Sequence, residues 1–373
     1  MLCKKCNASG TVVIRKIYFF CDECFISNII HKFRACIGKN TKLTLQDKAL
    51  ICLSGDISST VLLDLVMNAI SLNTHKKLRI LPTFLHLTGI TSSNETVCNA
   101  IINQCKNYNV DIHIIDVYDL SSKSINLSEK KITEANESDL RMPDIKEFIN
   151  KVSLTTQEDV ISKIKQNMLY AVAKDFKCNL IFTAETNTKL SAKLLSNIVT
   201  GRGSQIENDI GFADVHDEHV KLLRPMREIT EEELGHYVRI RHLIPANNSK
   251  NVTLNNLQSL ITNFISDLQE NSPATISTIC KTADKIGSVD STKCNKNCKL
   301  CQNNLYTKPD KLIATDAIGF SKMVSSGTYN SNNALTELEN TSLDVSVFPH
   351  INESLCYSCS KNYYELIMNK EIK

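Results

Sequence analysis

The chain has 373 residues, of which 42% are hydrophobic and 22% charged, and its formal net charge is +3. This length predicts about two domains with appendages, and the composition is that of a globular protein. The nearly neutral charge excludes nucleic-acid binding driven by the overall field, so any such contact must rest on local basic patches. The opening MLCKKC contains no apolar signal segment, and no apolar run reaches the roughly 18 residues of a membrane span, which predicts a cytosolic or nuclear location.

Two pairs of cysteines open the chain. Cys3 and Cys6 form one CxxC knuckle, and Cys21 and Cys24 form a second one after fourteen residues of partly strand-like composition. Because thiols stay reduced in the predicted compartment, disulfides are disfavoured here. The spacing instead indicates a tetrahedral thiolate site for structural zinc on a small ribbon, with an iron–sulfur cluster or unliganded thiols as the alternatives.

A basic helix is predicted directly after the second knuckle. Apolar residues recur at helical spacing from Phe25 to Ile37, and Gly38 closes the pattern. The other face carries the cations His31, Lys32, Arg34, Lys39 and Lys42. Such a strip could contact RNA phosphates, although from charge alone a solvated helix face is the more ordinary interpretation.

The next stretch, ALICLSGDISSTVLL from Ala49 to Leu63, reads as a buried strand, a small-residue turn and the start of a helix. This geometry directs backbone N–H groups and a positive dipole end at one point, which suits a phosphate. The turn carries only one glycine, however, and an acidic residue stands where an anion would approach. The sequence therefore predicts a degenerate nucleotide loop made of Ser54, Gly55, Asp56, Ser58 and Ser59.

Alternating strands and helices follow. Strands are predicted at 78–87, 110–120 and 179–186, and helices at 93–108 and 157–176, while the polar stretch 121–153 is predicted to be a mobile surface insertion. Continuous apolar strands separated by helices predict an α/β fold with a doubly wound parallel sheet. Ligands of such folds bind beyond the carboxyl ends of the strands, where residues 54–59 and 183–188 should both lie.

Three arginines near this edge are candidates for phosphate contacts. A predicted helix over 187–203 ends in Gly201-Arg202-Gly203, although an ordinary helix C-cap also explains the two glycines. A strand and a turn bracketed by Arg224 and Arg227 come next, followed by a helix that opens at Thr230 with three glutamates in its first turn. A further amphipathic helix is predicted over 255–269.

The carboxyl-terminal part repeats the knuckle pattern. Cys298 and Cys301 pair with Cys356 and Cys359, which predicts a second zinc ribbon and leaves Cys294 as an alternative ligand or a spare thiol. Cys294, Cys298 and Cys301 also have the CxxxCxxC spacing by which radical S-adenosylmethionine enzymes bind a 4Fe–4S cluster. That interpretation is disfavoured, because the triplet lies near the end of the chain and no barrel follows it. The predicted organisation is a ribbon with a basic helix at 1–45, an α/β domain at 46–245 with the insertion 121–153, and a helical segment with a ribbon at 246–373.

Taken together, these motifs resemble the family of tRNA thiolases with a PP-loop ATP-pyrophosphatase fold, in particular its non-catalytic cytoplasmic tRNA 2-thiolation branch. The resemblance rests on CDECF, HKFRACIGKN, ALICLSGDISS, KLSAKLLSNIVTGRG, RPMREITEEELGHY and the closing CQ…CYSC, in this order along nearly the whole chain. Catalytic members carry the loop SGGxDS. Here Asp56 replaces the second glycine and Ser58 the motif aspartate, which argues against ATP binding at this loop.

The resemblance also implies what the chain lacks and what it works with. The cysteines of catalytic members have no counterpart in 157–168 or after the late helix, and Cys52 and Cys178 read as small core residues. A related catalytic subunit would form a heterodimer with this chain and transfer sulfur, supplied by a thiocarboxylated ubiquitin-related modifier, to the wobble uridine of tRNAs for Lys, Glu and Gln. The implied tRNA contacts are His31, Lys32, Arg34, Lys39, Arg202, Arg224 and Arg227.

Two other functions remain open at this point. One is an active PP-loop enzyme that tolerates Asp56, with the carboxylate holding Mg²⁺. The other is a zinc-ribbon adaptor that binds only protein. The resemblance favours the non-catalytic subunit of a tRNA thiolation complex, and these two functions are kept as alternatives.

Overall fold

The computed structural model describes residues 1–72, 77–89, 95–117, 151–203, 206–215, 217–247, 255–272, 274–286, 297–302, 305, 321–322, 325 and 355–371. The chain divides into two compact units, one of residues 1–289 and 365–373 and one of residues 290–364. The predicted insertion 121–153 lies outside the described residues except for its last three. The predicted domain boundaries at 45 and 245 remain predictions. Within the described ranges, no helix is long and apolar enough to cross a membrane.

The amino-terminal ribbon consists of strands β1 (Val12–Ile14) and β2 (Tyr18–Phe20), which pair antiparallel. Helix α1 (Asp22–Asn40) follows and buries Phe25, Ile29 and Phe33 completely. The predicted basic helix is therefore confirmed. It forms because its apolar residues recur every three or four positions and make one continuous buried stripe.

Six strands of the described chain form the central sheet. They are β3 (Lys48–Cys52), β4 (Leu81–Thr88), β5 (Ile112–Asp116), β6 (Leu180–Phe182), β7 (Ala213–Asp214) and β8 (Lys221–Leu223). Their order is β5-β4-β3-β6-β8-β7, and all neighbours are parallel except β7 and β8. This confirms the predicted α/β fold with a parallel sheet. The reversal of order beside β3 places its carboxyl end at the point where such folds bind ligands.

Nine further helices follow α1 in the described parts of the chain. They are α2 (Ile57–Ile70), α3 (Glu95–Asn107), α4 (Leu154–Asp175), α5 (Asn187–Val199), α6 (Ile206–Ile210), α7 (Glu231–Ile240), α8 (Leu257–Asn271), α9 (Ala274–Ile286) and α10 (Tyr357–Glu371). Helix α4 begins before its predicted start because the Ser153 side chain accepts a hydrogen bond from the Thr156 N–H. The predicted start of α7 is confirmed by a capping box between Thr230 and Glu233.

The core is centred on the first strand of the sheet and the helix that follows it. Ala49, Leu50 and Ile51 are fully buried, and residues 58–66 of α2 are buried almost without interruption. Helix α9, which the apolar pattern did not reveal, buries Ile276 and Cys280 beside the underside of α5. The turn between β3 and α2 therefore joins two buried elements.

Candidate functional site

Four residues, Leu53 to Asp56, join β3 to α2 at the carboxyl edge of the sheet. Gly55 has a φ of +85°, a conformation that side chains with a Cβ rarely adopt. A Cβ at Gly55 would also lie 3.1 Å from atoms of the Ile101 and Val97 side chains. The strand, turn and helix of a nucleotide loop are thus present in the geometry that the sequence predicted.

The carboxylate of Asp56 occupies the amino-terminal end of α2. It is the N-cap of the helix, and its Oδ1 accepts hydrogen bonds from the Ser59 N–H at 2.8 Å and the Ser54 hydroxyl at 2.9 Å. Its Oδ2 accepts a bond of 2.9 Å from the Ser58 hydroxyl. The Gly55 N–H donates to the Ser59 hydroxyl at 2.9 Å. The N–H groups of Gly55 and Ser59, which could otherwise face an external anion, are therefore satisfied by side chains of the loop itself.

Lys189, from the first turn of α5, completes this arrangement. Its Nζ lies 2.5 Å from Asp56 Oδ2 and donates a bond of 2.7 Å to the Ser58 hydroxyl. Partial burial alone would raise the pKa of Asp56, but the attraction of Lys189 and the hydrogen bonds from Ser59 and Ser54 lower it to about 2. Asp56 is therefore ionised at neutral pH, and its negative charge stands where a phosphate would place its own.

Replacing Asp56 with glycine should open this position to an anion. The Ser59 N–H and the Lys189 ammonium would lose their internal acceptor, so we expect affinity for inorganic pyrophosphate, measured by calorimetry, to rise at least tenfold. The helix should tolerate the change, because replacing an N-cap residue with glycine costs only a few tenths of a kcal/mol. Ser54→Ala retains the carboxylate and should bind pyrophosphate as the wild type does. A folded Asp56→Gly variant with unchanged affinity would show that another feature excludes the anion.

Beyond the loop, a cavity of about 730 Å³ opens at the carboxyl ends of β3, β4 and β6. His86 lines it, and its Nδ1 lies 2.6 Å from the Leu53 carbonyl oxygen. Because a carbonyl can only accept, Nδ1 carries the proton. Burial lowers the pKa of His86 and outweighs the effect of this bond, so the imidazole is neutral at pH 7. The cavity is thus open even though the Asp56 carboxylate lies where a phosphate would bind.

A second set of charges lies at the same edge, after β6. Glu185 lines the cavity and pairs with Lys193 at 2.9 Å and with the Arg224 Nε at 2.7 Å. Arg224 is fully buried and also donates to the Gly211 carbonyl oxygen at 2.9 Å. Burial would raise the pKa of Glu185, but the attraction of Lys193 and Arg224 lowers it to about 2. Arg224 is therefore committed to an internal carboxylate.

The other predicted phosphate contacts divide into two groups. Arg202 is 2% exposed and pairs with Asp159 at 2.6 Å, so neither it nor Arg224 reaches the surface in this conformation. Lys32 and Arg227 lie nearer the surface, but they pair with Glu233 and Asp284, both at 2.6 Å. By contrast, His31 and Lys39 are exposed and Arg34 is half-buried on the same helix. The structure thus places His31, Arg34 and Lys39 together on helix α1, whereas Arg202 and Arg224 are buried.

The predicted thiolate sites are brought together in space. The sulfur atoms of Cys3, Cys6, Cys21 and Cys24 all lie within 4.8 Å of one another, and so do those of Cys298, Cys301, Cys356 and Cys359. Four sulfurs around a tetrahedral zinc ion stand roughly 3.8 Å apart, since each Zn–S bond is about 2.3 Å. Representative pairs are Cys6–Cys21 at 3.5 Å and Cys301–Cys356 at 3.7 Å. Both four-cysteine groups therefore fit a metal ion. Cys294 lies outside the described residues.

Sequence reasoning missed three side chains of this edge. Lys189 and Glu185 lie in the segment that follows β6, and His86 lies inside β4. The available signal was the topological rule itself, because the start of the helix after a neighbouring parallel strand must face the same edge as the loop. Cys52, predicted to be a core residue, lines the cavity, and burial raises the pKa of its thiol.

Comparison with known proteins gives the same fold and a set of similar sequences. A solved structure described as U34-tRNA thiolase NcsA from Methanococcus maripaludis with its [4Fe-4S] cluster superposes with a TM-score of 0.61, at 17% identity, over 81% of this chain and 95% of that one. The family model Cytoplasmic tRNA 2-thiolation protein 2 matches residues 256–361. Relatives of that name are 27% identical in Danio rerio and 28% identical in Drosophila virilis, covering 87% and 98% of this chain and 76% and 90% of their own lengths.

These observations define the class of this protein: it is an α/β chain with the fold of that thiolase and a four-cysteine group in each terminal region. Within that class, the relatives match along most of the chain rather than at the knuckles alone. The chain is similar to cytoplasmic tRNA 2-thiolation protein 2 over most of its length.

Proposed function

We propose that this chain is a subunit of a cytosolic tRNA thiolation complex and takes part in 2-thiolation of tRNA without performing nucleotide chemistry itself. The observation that carries the proposal is the loop at 54–59, which keeps the nucleotide-loop backbone while the Asp56 carboxylate and Lys189 satisfy each other at its anion position. The names of the relatives supply the reaction and the compartment. A loop that keeps its backbone fold while a carboxylate takes the place of the phosphate is consistent with a subunit that does not bind ATP.

The finer proposal concerns the partner and the product. A catalytic subunit of the same fold would bind ATP and take sulfur from a thiocarboxylated ubiquitin-related modifier, and this chain would be the other half of a heterodimer. The substrate would be the wobble uridine of tRNAs for Lys, Glu and Gln, and the product 5-methoxycarbonylmethyl-2-thiouridine. Support comes from the sequence resemblance and from the occupied loop, which leaves this chain in need of such a partner.

We propose structural zinc in both four-cysteine groups. Each group uses four thiolates from two knuckles and leaves no open coordination position, as in sites that stabilise folding rather than catalyse. The [4Fe-4S] cluster belongs to the described thiolase from Methanococcus maripaludis. Here the metal would fix the two ribbons in place, and no chemistry is assigned to it.

For tRNA binding, the proposal keeps the surface cations of the predicted set. His31 and Lys39 are exposed and Arg34 is half-buried on helix α1, while Lys32 and Arg227 would contribute only after exchanging their carboxylate partners. Arg202 and Arg224 are assigned structural roles instead, since both are buried in ion pairs. Surface cations near the ribbon are suited to phosphate contacts, because they can bind a phosphate without first breaking an ion pair with a buried carboxylate.

The decisive experiment omits each subunit in turn from a reconstituted thiolation reaction. We expect the purified chain alone to convert no ATP to AMP and pyrophosphate and to thiolate no tRNA, yet to be required by the catalytic subunit. Turnover of ATP by the isolated chain would instead support an active enzyme that tolerates Asp56. Full thiolation without this chain, together with no tRNA crosslink to residues 1–45, would favour an adaptor that binds only protein.

A further inference from the structure

A basic groove of about 650 Å³ lies beside the amino-terminal helix. His31 and Arg34 of helix α1 line one side of it, and Lys77 and Arg79 line the other side. The latter two precede β4 in an extended segment, where Leu78 and Ile80 are buried and the two cations alternate with them on the exposed side. Two elements far apart in sequence thus place four basic side chains around one depression.

The charge of this groove is not neutralised by its own walls. None of the described residues that line it is acidic. This differs from the neighbouring cations Lys32 and Arg227, each of which has a carboxylate partner. Moreover, the Arg34 Nε is buried and has no hydrogen-bond partner among the described residues. A buried donor without an acceptor is costly, so an acceptor brought by a ligand would be favoured here.

The floor of the groove is apolar. Ile30, Ile37, Leu43 and Leu78 contribute to its lining together with the backbone region of Gly38. A small phosphate would leave this floor uncovered, whereas a nucleotide chain offers phosphates to the cations and ribose or base surface to the floor. Single-stranded RNA is recognised by this combination of a basic groove and surfaces on which bases pack.

We infer that this groove binds the sugar–phosphate backbone of RNA, with Lys77 and Arg79 as contacts that were not foreseen from the sequence. The inference rests on the proposed tRNA function and deepens it, because it names the surface where the tRNA lies. It also separates RNA binding from the nucleotide loop, since no residue that lines this groove also lines the cavity of about 730 Å³ beside Asp56.

The test measures binding of an unmodified glutamate tRNA transcript to the full chain by fluorescence anisotropy over a series of KCl concentrations. Removing two phosphate contacts in Lys77→Ala/Arg79→Ala should lower the magnitude of the log K against log[salt] slope by about 1.4 to 1.8 and weaken binding at least tenfold at about 100 mM salt. Arg34→Met, from the opposite wall, should weaken binding as well while its aliphatic part still packs.

The matched control removes two exposed lysines elsewhere, Lys106→Ala/Lys281→Ala, and should bind within twofold of the wild type with the same slope. If the wild type binds and all groove variants bind equally well, the groove inference fails while tRNA binding stands. If the wild type does not bind tRNA at all, tRNA binding by this chain fails and the groove inference fails with it. Loss of binding to a polyglutamate peptide with tRNA binding intact would identify an acidic protein as the occupant and overturn the inference. Thermal melting verifies that each variant is folded.

Discussion

Replacing Cys6 with serine should release one zinc ion per chain and unfold the amino-terminal ribbon. Cys6 is an exposed member of its four-cysteine group, so the substitution removes little packing and its effect reports loss of the metal ligand. Because metal binding is coupled to folding at such sites, the strands β1 and β2, of three residues each, should not persist alone. The zinc content measured by elemental analysis should fall from two ions per chain to one.

Cys98→Ser is the matched control for this prediction. Cys98 is a half-buried cysteine outside both four-cysteine groups, and its replacement should leave two zinc ions bound. Limited proteolysis should then cleave the first 20 residues of the Cys6→Ser chain and spare the control. Two bound zinc ions in Cys6→Ser, or iron in place of zinc in the wild type, would contradict the proposed metal site.

Replacing Arg224 with alanine should destabilise the fold by about 3 kcal/mol, since it removes the buried partner of Glu185, which keeps only Lys193, and leaves a cavity. Arg224 is fully buried and pairs with Glu185, which is 25% exposed at its side chain. This loss is a large fraction of the free energy of unfolding of a folded domain, which is roughly 5–15 kcal/mol. Urea unfolding measures it directly.

Arg227→Ala provides a control three residues away. Its partner Asp284 is 43% exposed, so this surface pair should contribute no more than about 1 kcal/mol. A double variant, Arg224→Met/Glu185→Gln, should recover part of the loss because it removes both charges while filling the space. Equal effects of Arg224→Ala and Arg227→Ala would show that burial does not decide the strength of these pairs.

The pH dependence of the same variant provides a second measurement. The pKa of Glu185 is lowered to about 2 in the folded chain, against about 4.3 when unfolded, so its ion pairs stabilise the fold fully above pH about 4.3. That contribution is lost as the pH falls toward 2, where Glu185 becomes protonated. The stability difference between the wild type and Arg224→Ala should therefore narrow between pH about 4 and pH about 2.

These two ion-pair sets explain how the fold persists without an external anion. In a loop that binds nucleotide, the helix end and nearby cations are partnered by phosphate. Here Asp56 partners Lys189 and the end of α2, and Glu185 partners Lys193 and Arg224. Both sets of charges at this edge are thus paired within the chain.

Much of this architecture could be predicted from local patterns. The apolar runs and caps indicated β3, β4, α1 and α7, and the CxxC spacing indicated both four-cysteine groups, because these features depend on residues close in sequence. The ion-pair partners could not be predicted in this way. Arg224 and Glu185 are 39 residues apart, and Lys189 and Asp56 are 133 apart, so only the packing of the sheet decides that they meet.

The sequence by itself determined that this protein has a parallel α/β sheet, a strand–turn–helix segment with an acidic residue in its turn and two pairs of CxxC knuckles, since hydrophobic period, turn residues and cysteine spacing are local properties. Only the tertiary structure decided which charges are free. It buried Arg202 and Arg224 against carboxylates, and it brought Lys77 and Arg79 to the basic helix. The physical reason is that burial and ion pairing depend on which surfaces pack together, and the position of a charged residue in the sequence does not indicate its partner.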